Sequence, residues 1–308
     1  MAYLKLVRWP NLLMLALMQL VFKYGFLDAN QTPQALNDWQ YALLVLATVF
    51  IAGSGYVIND IFDQETDRVN RPKRQIVGVS VSESKAYSLY VALNIIGVGL
   101  GFVVANIVGK PVFSALFIVI SITLYIYASG LKQNLLAGNF VVAALLALSV
   151  LTVGIFDLYP IITSDNRAEL GLMFKILLDY AAFAFLINLL REIVKDLEDI
   201  EGDDQAGMRT LAVVLGPQRA ATLLFWLSFV PLLVLGWYIN HYFIAFDLFL
   251  VTGYALVLVV APMLYFTVKV RSARNKKDFR HLSGVLKAVI FFGILSVAVL
   301  TYNISHHG

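Results

Sequence analysis

The sequence predicts an all-α, polytopic membrane bundle of about nine transmembrane helices, and three observations carry that expectation. First, 60% of the 308 residues are hydrophobic and only 14% are charged, with a mean hydropathy of +0.78. Soluble domains average about 45–50% apolar and about 25% charged, and a soluble fold of this length could not hide so much apolar surface. Second, crossing about 30 Å of hydrocarbon takes roughly 20 helical residues, and apolar runs of that length recur from one end of the chain to the other. Third, the basic residues segregate into alternate connections, as expected when one face of the bundle is cytoplasmic.

The runs can be taken in order. The first, 9–27, follows a segment holding only Lys5 and Arg8; no small-residue cleavage site follows it, so it reads as a retained span and not a signal peptide. The second, 40–59, passes directly into an acidic stretch, and the connection from 60 to 85 also holds five cations. Runs three and four, 85–108 and 113–131, are separated by Lys110, and Lys132 closes the fourth. Runs five and six, 138–160 and 169–191, flank Arg167, and the sixth passes directly into a second acidic stretch. Runs seven and eight, 217–240 and 245–268, precede a basic segment, Lys269 to Arg280, that reads as an ordinary cytoplasmic loop before run nine, 284–304. Barrel strands would alternate over about ten residues; these runs are long and continuously apolar. With the N-terminus cytoplasmic and the C-terminus outside, 19 of the 23 Lys and Arg fall on the cytoplasmic side, Lys23, Lys110, Arg167 and Lys175 being the exceptions. The cell inner membrane is the expected location.

Composition also excludes chemistry. There is no cysteine, hence no disulfide, thiolate metal site or cysteine nucleophile. Four histidines, two of them at His306 and His307, are a poor basis for a zinc or haem site. Net charge is +3 and no basic domain stands out, so no nucleic-acid partner is expected.

Twelve of the 20 acids lie in the two acidic stretches. Asp60, Asp63 and Asp67 follow the second span, and Asp196, Asp199 and Asp203 follow the sixth. Spacing of i, i+3 and i+7 sets each triplet within about 60° of one helical face. The triplets are offset by the same 136 residues with four spans between them. The chain therefore reads as a single domain over residues 1–308 with a degenerate repeat, spans one to four and five to eight, and one acidic site per half. Six like charges on two faces repel one another unless something neutralises them. All-oxygen ligation suits Mg²⁺, which typically bridges one or two carboxylates to substrate phosphates. Two such clusters at a membrane surface point to a diphosphate clamped by Mg²⁺, its hydrophobic tail in the bundle: a polyprenyl diphosphate.

The residues also carry a resemblance. Asn59-Asp60-x-x-Asp63-x-x-x-Asp67 followed by Asn70-Arg71-Pro72-x-Arg74 resembles the first aspartate motif of the UbiA superfamily of intramembrane prenyltransferases. Asp199-x-x-x-Asp203, with Gly207, Thr210 and Gly216 downstream, is similar to its second motif. Arg8-Trp9-Pro10-Asn11, Tyr127 to Lys132, and Gly138-Asn139 resemble further family stretches, so the likeness runs from residue 8 to about 216. It implies helices around a central cavity capped by the aspartate loops on the cytoplasmic side. Asp63, Asp67, Asp199 and Asp203 would be the principal Mg²⁺ ligands, with Asn59, Asp60 and Asp196 as further ligands or as residues just behind them. Lys132, Tyr127 and Arg74 would hold the departing diphosphate, and Arg8, Asn11 and Asn139 would add polar contacts. Lys132 is open to the alternative of a positive-inside anchor, Tyr127 to that of an interfacial aromatic, and Arg68, Arg71, Lys73 and Arg74 to that of binding anionic lipid heads.

Within the family, the second stretch looks most like that of members whose acceptor is geranylgeranylglyceryl phosphate and whose donor is geranylgeranyl diphosphate. Quinone-type members, whose acceptors are aromatic (4-hydroxybenzoate or dihydroxynaphthoate type), offer a contrast: those that take 4-hydroxybenzoate tend to carry a Tyr where this chain has Lys195; a cation there suits a phosphorylated acceptor, or pairs with Asp199 one turn on. The lipid acceptor is the leading reading and the aromatic one the alternative. After Arg74 the chain reads Gln75-Ile76-Val77-Gly78 where the family commonly has Pro-Ile-Pro-Ser-Gly, which should leave that loop less rigid. Asp179, in the middle of the sixth run, should be neutral, paired or turned to the cavity. A cation-coupled transporter would instead need acids near the bilayer midplane and broken spans.

Overall fold

The computed structural model describes residues 1–72 and 75–306; Lys73, Arg74 and His307, singled out above, lie outside the described residues. Among these, nine helices are long and apolar enough to cross a membrane. They are α1 (Trp9–Asp28), α2 (Asp38–Phe62), α4 (Glu83–Ile107), α5 (Pro111–Ser129), α6 (Ala137–Ile161), α7 (Arg167–Gln205), α8 (Pro217–Phe246), α9 (Phe249–Val270) and α10 (Lys276–Ser305), with the short α3 (Gln64–Asn70) after α2. Each of the nine runs read from the sequence overlaps one of these spans, the eighth beginning four residues before α9 and the third and fourth ending one and two residues past their helices.

Local chemistry sets several boundaries. Asn37 and Gln40 close a reciprocal capping box at the start of α2, and Asn275 and Asp278 close another at the start of α10, each satisfying two backbone amides that no helical carbonyl reaches. α7 is 39 residues long, about 58 Å at 1.5 Å per residue against about 30 Å of hydrocarbon. Its last turns therefore project beyond the bilayer and carry the second acidic cluster there. On α4, a Cβ at Gly97 would stand 2.6 Å from Ile51 of α2, and one at Gly101 2.3 Å from the Phe117 ring of α5. Small residues four apart are what let three apolar helices approach closely without a hydrophobic driving force.

Three apolar cores result. One joins α1, α2, α4, α5, α6, the first half of α7 and Val297 of α10; a second joins the second half of α7 to α8, α9 and α10; a smaller third gathers Leu6, the end of α2, Val77, Val81, Ala86 of α4 and Ala128 of α5. Between the first two lies a cavity of about 360 Å³, walled by α1, α2, α5, α6, α7 and α10. At its far end the Gln19 amide donates to Thr48 (3.2 Å) and Thr152 (3.0 Å). Beyond that, the buried Lys23 ammonium meets Asp157 at 3.0 Å and also donates to the Leu36 carbonyl at 2.8 Å, while Asp157 accepts from the Leu36 amide at 2.8 Å. Lys23, one of the four basic residues set outside the cytoplasmic count, is thus a structural ion-pair member that ties α1, the following loop and α6 together. Removing one partner of a buried pair strands the other charge, at a cost of about 3–5 kcal/mol. Asp157→Ala is expected to lower the thermal unfolding midpoint of the detergent-solubilised protein markedly; an unchanged midpoint would show that water reaches Lys23.

Candidate active site

At the opposite end the two acidic clusters face each other across the cavity mouth. α2 stops at Phe62, and Asp63 sits at the joint, with φ −88° and ψ 7°, before α3 begins. The break redirects the first triplet. Asp63 and Asp67 line the cavity, whereas the Asp60 carboxylate turns to the Arg8 guanidinium at 2.8 Å and is not part of the cavity wall. A straight helix would have kept all three on one face; instead Asp60, expected as a further ligand or just behind the ligands, stays on α2 with Arg8 and off the cavity wall. In the second triplet α7 runs unbroken, and Asp196, Asp199 and Asp203 all reach the cavity.

Each carboxylate has a distinct set of partners. Asp63 accepts from the Asn59 amide at 2.5 Å and from the Lys132 ammonium. Lys132 lies on the turn between α5 and α6, where β1 (Asn134–Leu135) pairs in parallel with β2 (Arg209–Thr210). That two-residue ladder ties the lysine's turn to the loop beyond α7. Asp196 accepts from the Asn139 amide at 2.8 Å. Asp199 takes the Arg71 guanidinium on one oxygen; its other oxygen is buried without a hydrogen-bond partner, with the Lys276 ammonium 3.9 Å away. Among the described residues, no side chain hydrogen bonds or pairs with the carboxylates of Asp67 or Asp203.

α3 is bolted to α7 by Asn70. Its amide donates to the Asp199 carbonyl at 2.8 Å and its oxygen accepts from the Gly202 amide at 3.0 Å. Lys276 adds a third strut, donating to the Asn70 carbonyl at 2.7 Å, and Arg280 donates to Glu198 at 2.9 Å. The segment Lys269 to Arg280, read from the sequence as an ordinary loop, is therefore partly structural support for the site.

Of the other residues singled out, Arg8, Asn11, Asn59, Tyr127, Lys132, Asn139 and Lys195 all line the cavity. Lys195 pairs with Glu192 at 2.5 Å, not with Asp199. Asp179 does not line the cavity; its neighbour in charge is Lys175, one turn away. Sequence reading missed Arg191, Glu192 and Lys287 of the wall and set Arg71 among lipid-binding cations. Arg71 and Lys287 meet their partners on other elements, which local spacing does not mark; Arg191 and Glu192 pair within α7 itself, as ordinary helix-surface charges also do.

Below the mouth the wall turns apolar, with Met14, Leu15, Ile51, Leu124, Val142 and Ile290 among its residues. An apolar chamber inside a nine-span bundle, opening beneath two facing aspartate clusters and their cations, defines an intramembrane enzyme for an amphiphile with an anionic head. The chain belongs to the UbiA prenyltransferase family, whose model matches residues 17–301, and it is a prenyltransferase. It is 32% identical over 294 residues to the digeranylgeranylglyceryl phosphate synthase of Saccharolobus solfataricus, covering 94% of this chain and 95% of that one. Its fold is similar to that of a UbiA homologue from Aeropyrum pernix K1 (TM-score 0.67, 17% identity, 90% of this chain and 94% of that one). It is also similar to that of a UbiA homologue from Archaeoglobus fulgidus bound to GPP and Mg²⁺ (TM-score 0.58, 17% identity, 96% and 99%).

Proposed function

We propose that this prenyltransferase catalyses Mg²⁺-dependent transfer of a geranylgeranyl group from geranylgeranyl diphosphate to the free hydroxyl of geranylgeranylglyceryl phosphate, forming an ether. The observation that carries the reading is the pair of aspartate clusters bolted face to face over an apolar chamber. The S. solfataricus synthase, alike over nearly its whole length, supports the acceptor; the A. fulgidus homologue with GPP and Mg²⁺ supports the donor class and the ion.

The residues present fit the ion. Asp199 keeps a buried oxygen with no hydrogen-bond partner, Asp67 and Asp203 have no side-chain hydrogen-bond or ion-pair partner among the described residues, and the donors are all oxygens, as Mg²⁺ prefers. Among the described residues no three acidic or histidine side chains converge tightly enough to hold an ion alone, which accords with Mg²⁺ taking one or two carboxylates plus substrate phosphates. Asp63, Asp67, Asp199 and Asp203 would hold it, with Asn59 and Asp196 beside them and Asp60 behind, keeping Arg8 in place. When bound, Mg²⁺ neutralises charge growing on the leaving diphosphate.

The chain's own residues do the rest. Lys132, oriented by Asp63, and Arg71, oriented by Asp199, present cations to the diphosphate. Tyr127 stands near Asp63, Glu192 and Asp196, at the boundary between the charged mouth and the apolar chamber. The apolar wall keeps water from the cation-like allylic carbon. The bond from that carbon to the diphosphate oxygen breaks, the electron pair leaving with the diphosphate; the glycerol oxygen forms the new carbon–oxygen bond, and its proton departs with the diphosphate.

Burial, then the charges of Asp63 and Asp60, push the Asp67 carboxyl up to about 6 from its ordinary 3.8. Raised this way, the group stabilises the fold fully below the ordinary carboxylate value, and that contribution is lost as pH rises through about 6. A cation beside it reverses the preference, so binding displaces a proton at acid pH. The Mg²⁺ concentration for half-maximal activity is expected to climb as pH falls below about 6, by up to about tenfold per unit for one proton. A requirement that stays flat from pH 5 to 7.5 would remove Asp67 from the ligand set.

The chain is taken to work as one domain, each half supplying one acidic cluster, with the site at the cytoplasmic face of the cell inner membrane, the N-terminus inside and the C-terminus outside. The support is the 19 of 23 basic residues that this placement gathers on one side. As the chain has no cysteine, Ser164→Cys and Ser272→Cys can be labelled in intact cells: only the first should react with an impermeant maleimide. The function itself is tested by product mass. Purified protein with Mg²⁺ and geranylgeranyl diphosphate is offered geranylgeranylglyceryl phosphate, 4-hydroxybenzoate and dihydroxynaphthoate in parallel. An Mg²⁺-dependent ether is the expected product; an alkylated ring instead would move the protein to quinone synthesis.

A further inference from the structure

Four cations, Arg8, Arg191, Lys195 and Lys287, line the cavity on its membrane side. Along α7, Arg191 lies eight residues before Asp199, about 12 Å deeper; along α10, Lys287 lies eleven residues beyond Lys276, about 16 Å deeper. Arg191 and Lys287 thus lie beneath Lys132, Arg71 and Lys276 at the aspartate level, and Lys195, next to Asp196 in the chain, stands between the two depths. Arg8 is committed to Asp60 at 2.8 Å. The other three are poorly matched. Lys195 and Arg191 share the single carboxylate of Glu192, at 2.5 and 3.6 Å, and the Arg191 Nε is buried without a hydrogen-bond partner. Lys287 donates to the neutral Asn11 oxygen at 3.0 Å. Glu192 and, next to Lys195, the Asn139-bound Asp196 are the carboxylates that face these three cations, which leaves positive charge in excess in a chamber walled by lipid-embedded helices, where uncompensated charge is costly.

We propose that Arg191, Lys195 and Lys287 form a second anion site, distinct from the aspartate layer, that binds the phosphate of the acceptor lipid. The inference rests on the acceptor reading above and adds the residues that select it. A phosphate monoester carries about −1.5 to −2 charges at neutral pH and takes up that excess more fully than an aromatic carboxylate, which carries one. The guanidinium offers a planar fork and the ammonium groups point charges, the two kinds of donor that phosphate takes. The depth difference leaves the allylic carbon and the attacking hydroxyl between the two anions.

The test removes the contact from each side in turn. Arg191→Gln and Lys287→Gln, with Lys287→Arg as the conservative control, are assayed with geranylgeranylglyceryl phosphate and with phosphate-free geranylgeranylglycerol. With the phosphate present, each Gln variant is expected to raise the acceptor KM about 10- to 100-fold, the size of a lost charge-assisted hydrogen bond, and Lys287→Arg to recover most of it. With the phosphate-free alcohol, kcat/KM should stay within about twofold of the unmodified enzyme, since that contact is already gone. The phosphate-free arm also reports folding. Equal losses with both acceptors would make these residues structural, and a raised KM for the prenyl diphosphate would assign them to the donor; either result overturns the proposal while the ether reaction stands. Prenylation of an aromatic acceptor alone would overturn the function reading and this site together.

Discussion

Asp199→Ala is expected to lower kcat on the order of 10³-fold, and Asp60→Asn by only about 10- to 100-fold. Both aspartates belong to triplets with the same spacing, so the sequence gives no reason to separate them; their surroundings do. Asp199 stands on the cavity, offers a buried oxygen that nothing donates to, and orients Arg71 with the other. Its loss would take away a metal ligand, at several kcal/mol of transition-state charge stabilisation, where each 1.36 kcal/mol is about tenfold in rate. It would also release Arg71 and leave Lys276 without its acidic neighbour. Asp60 is off the cavity and holds Arg8, and groups that orient a ligand set from behind typically change affinity or activity about 10- to 100-fold. The discriminating measurement is the Mg²⁺ concentration for half-maximal turnover, which should rise steeply for Asp199→Asn and little for Asp60→Asn. Equal shifts in the two variants would mean that Asp60 swings to the ion when substrate binds.

That contrast shows where the sequence stops being informative. Span number was legible because about 20 continuous apolar residues have few alternatives. The sixth span's true length was not, because the charged residues after 191 end the apolar run while the helix continues to Gln205. The same-face argument holds for Asp196, Asp199 and Asp203, where the helix is unbroken, and breaks at Asp63, a joint that no glycine or proline marks. Asn59, Lys132 and Asn139 were found through motif likeness, and their contacts with Asp63 and Asp196 give that likeness a physical content. Lys287 and Asn11 meet across 276 residues of chain, and Arg71 reaches Asp199 across 128. Periodicity places a residue on its own helix; which charge it meets on another helix depends on packing that no single segment encodes.

Gly202→Ala is expected to cost on the order of 10²-fold in kcat and to lower the unfolding midpoint modestly. Intrinsic propensity argues the other way, since alanine in a helix interior is favoured over glycine by roughly 0.5–1 kcal/mol. Packing decides the outcome. A Cβ at this position would stand 2.4 Å from the Asn70 Nδ2, 2.6 Å from its Cγ and 2.8 Å from its Oδ1. Asn70 has no slack to give, because its side chain is bonded to the Asp199 carbonyl and the Gly202 amide and its own carbonyl holds Lys276. Accommodating a methyl group means breaking both side-chain bonds and moving α3 away from α7. α3 carries Asp67, and Arg71 follows directly, so the two acidic clusters would separate; a misplacement of about 1 Å is enough to cost about 10²-fold. Asn70→Ala removes the same clamp without the clash and should give a similar loss. Because both substitutions act on one contact, the double variant should be no worse than either single one, a non-additivity expected of residues that touch. Losses that multiply would show instead that Gly202 and Asn70 serve the site by separate routes, and that the spacing of the aspartate clusters is set elsewhere.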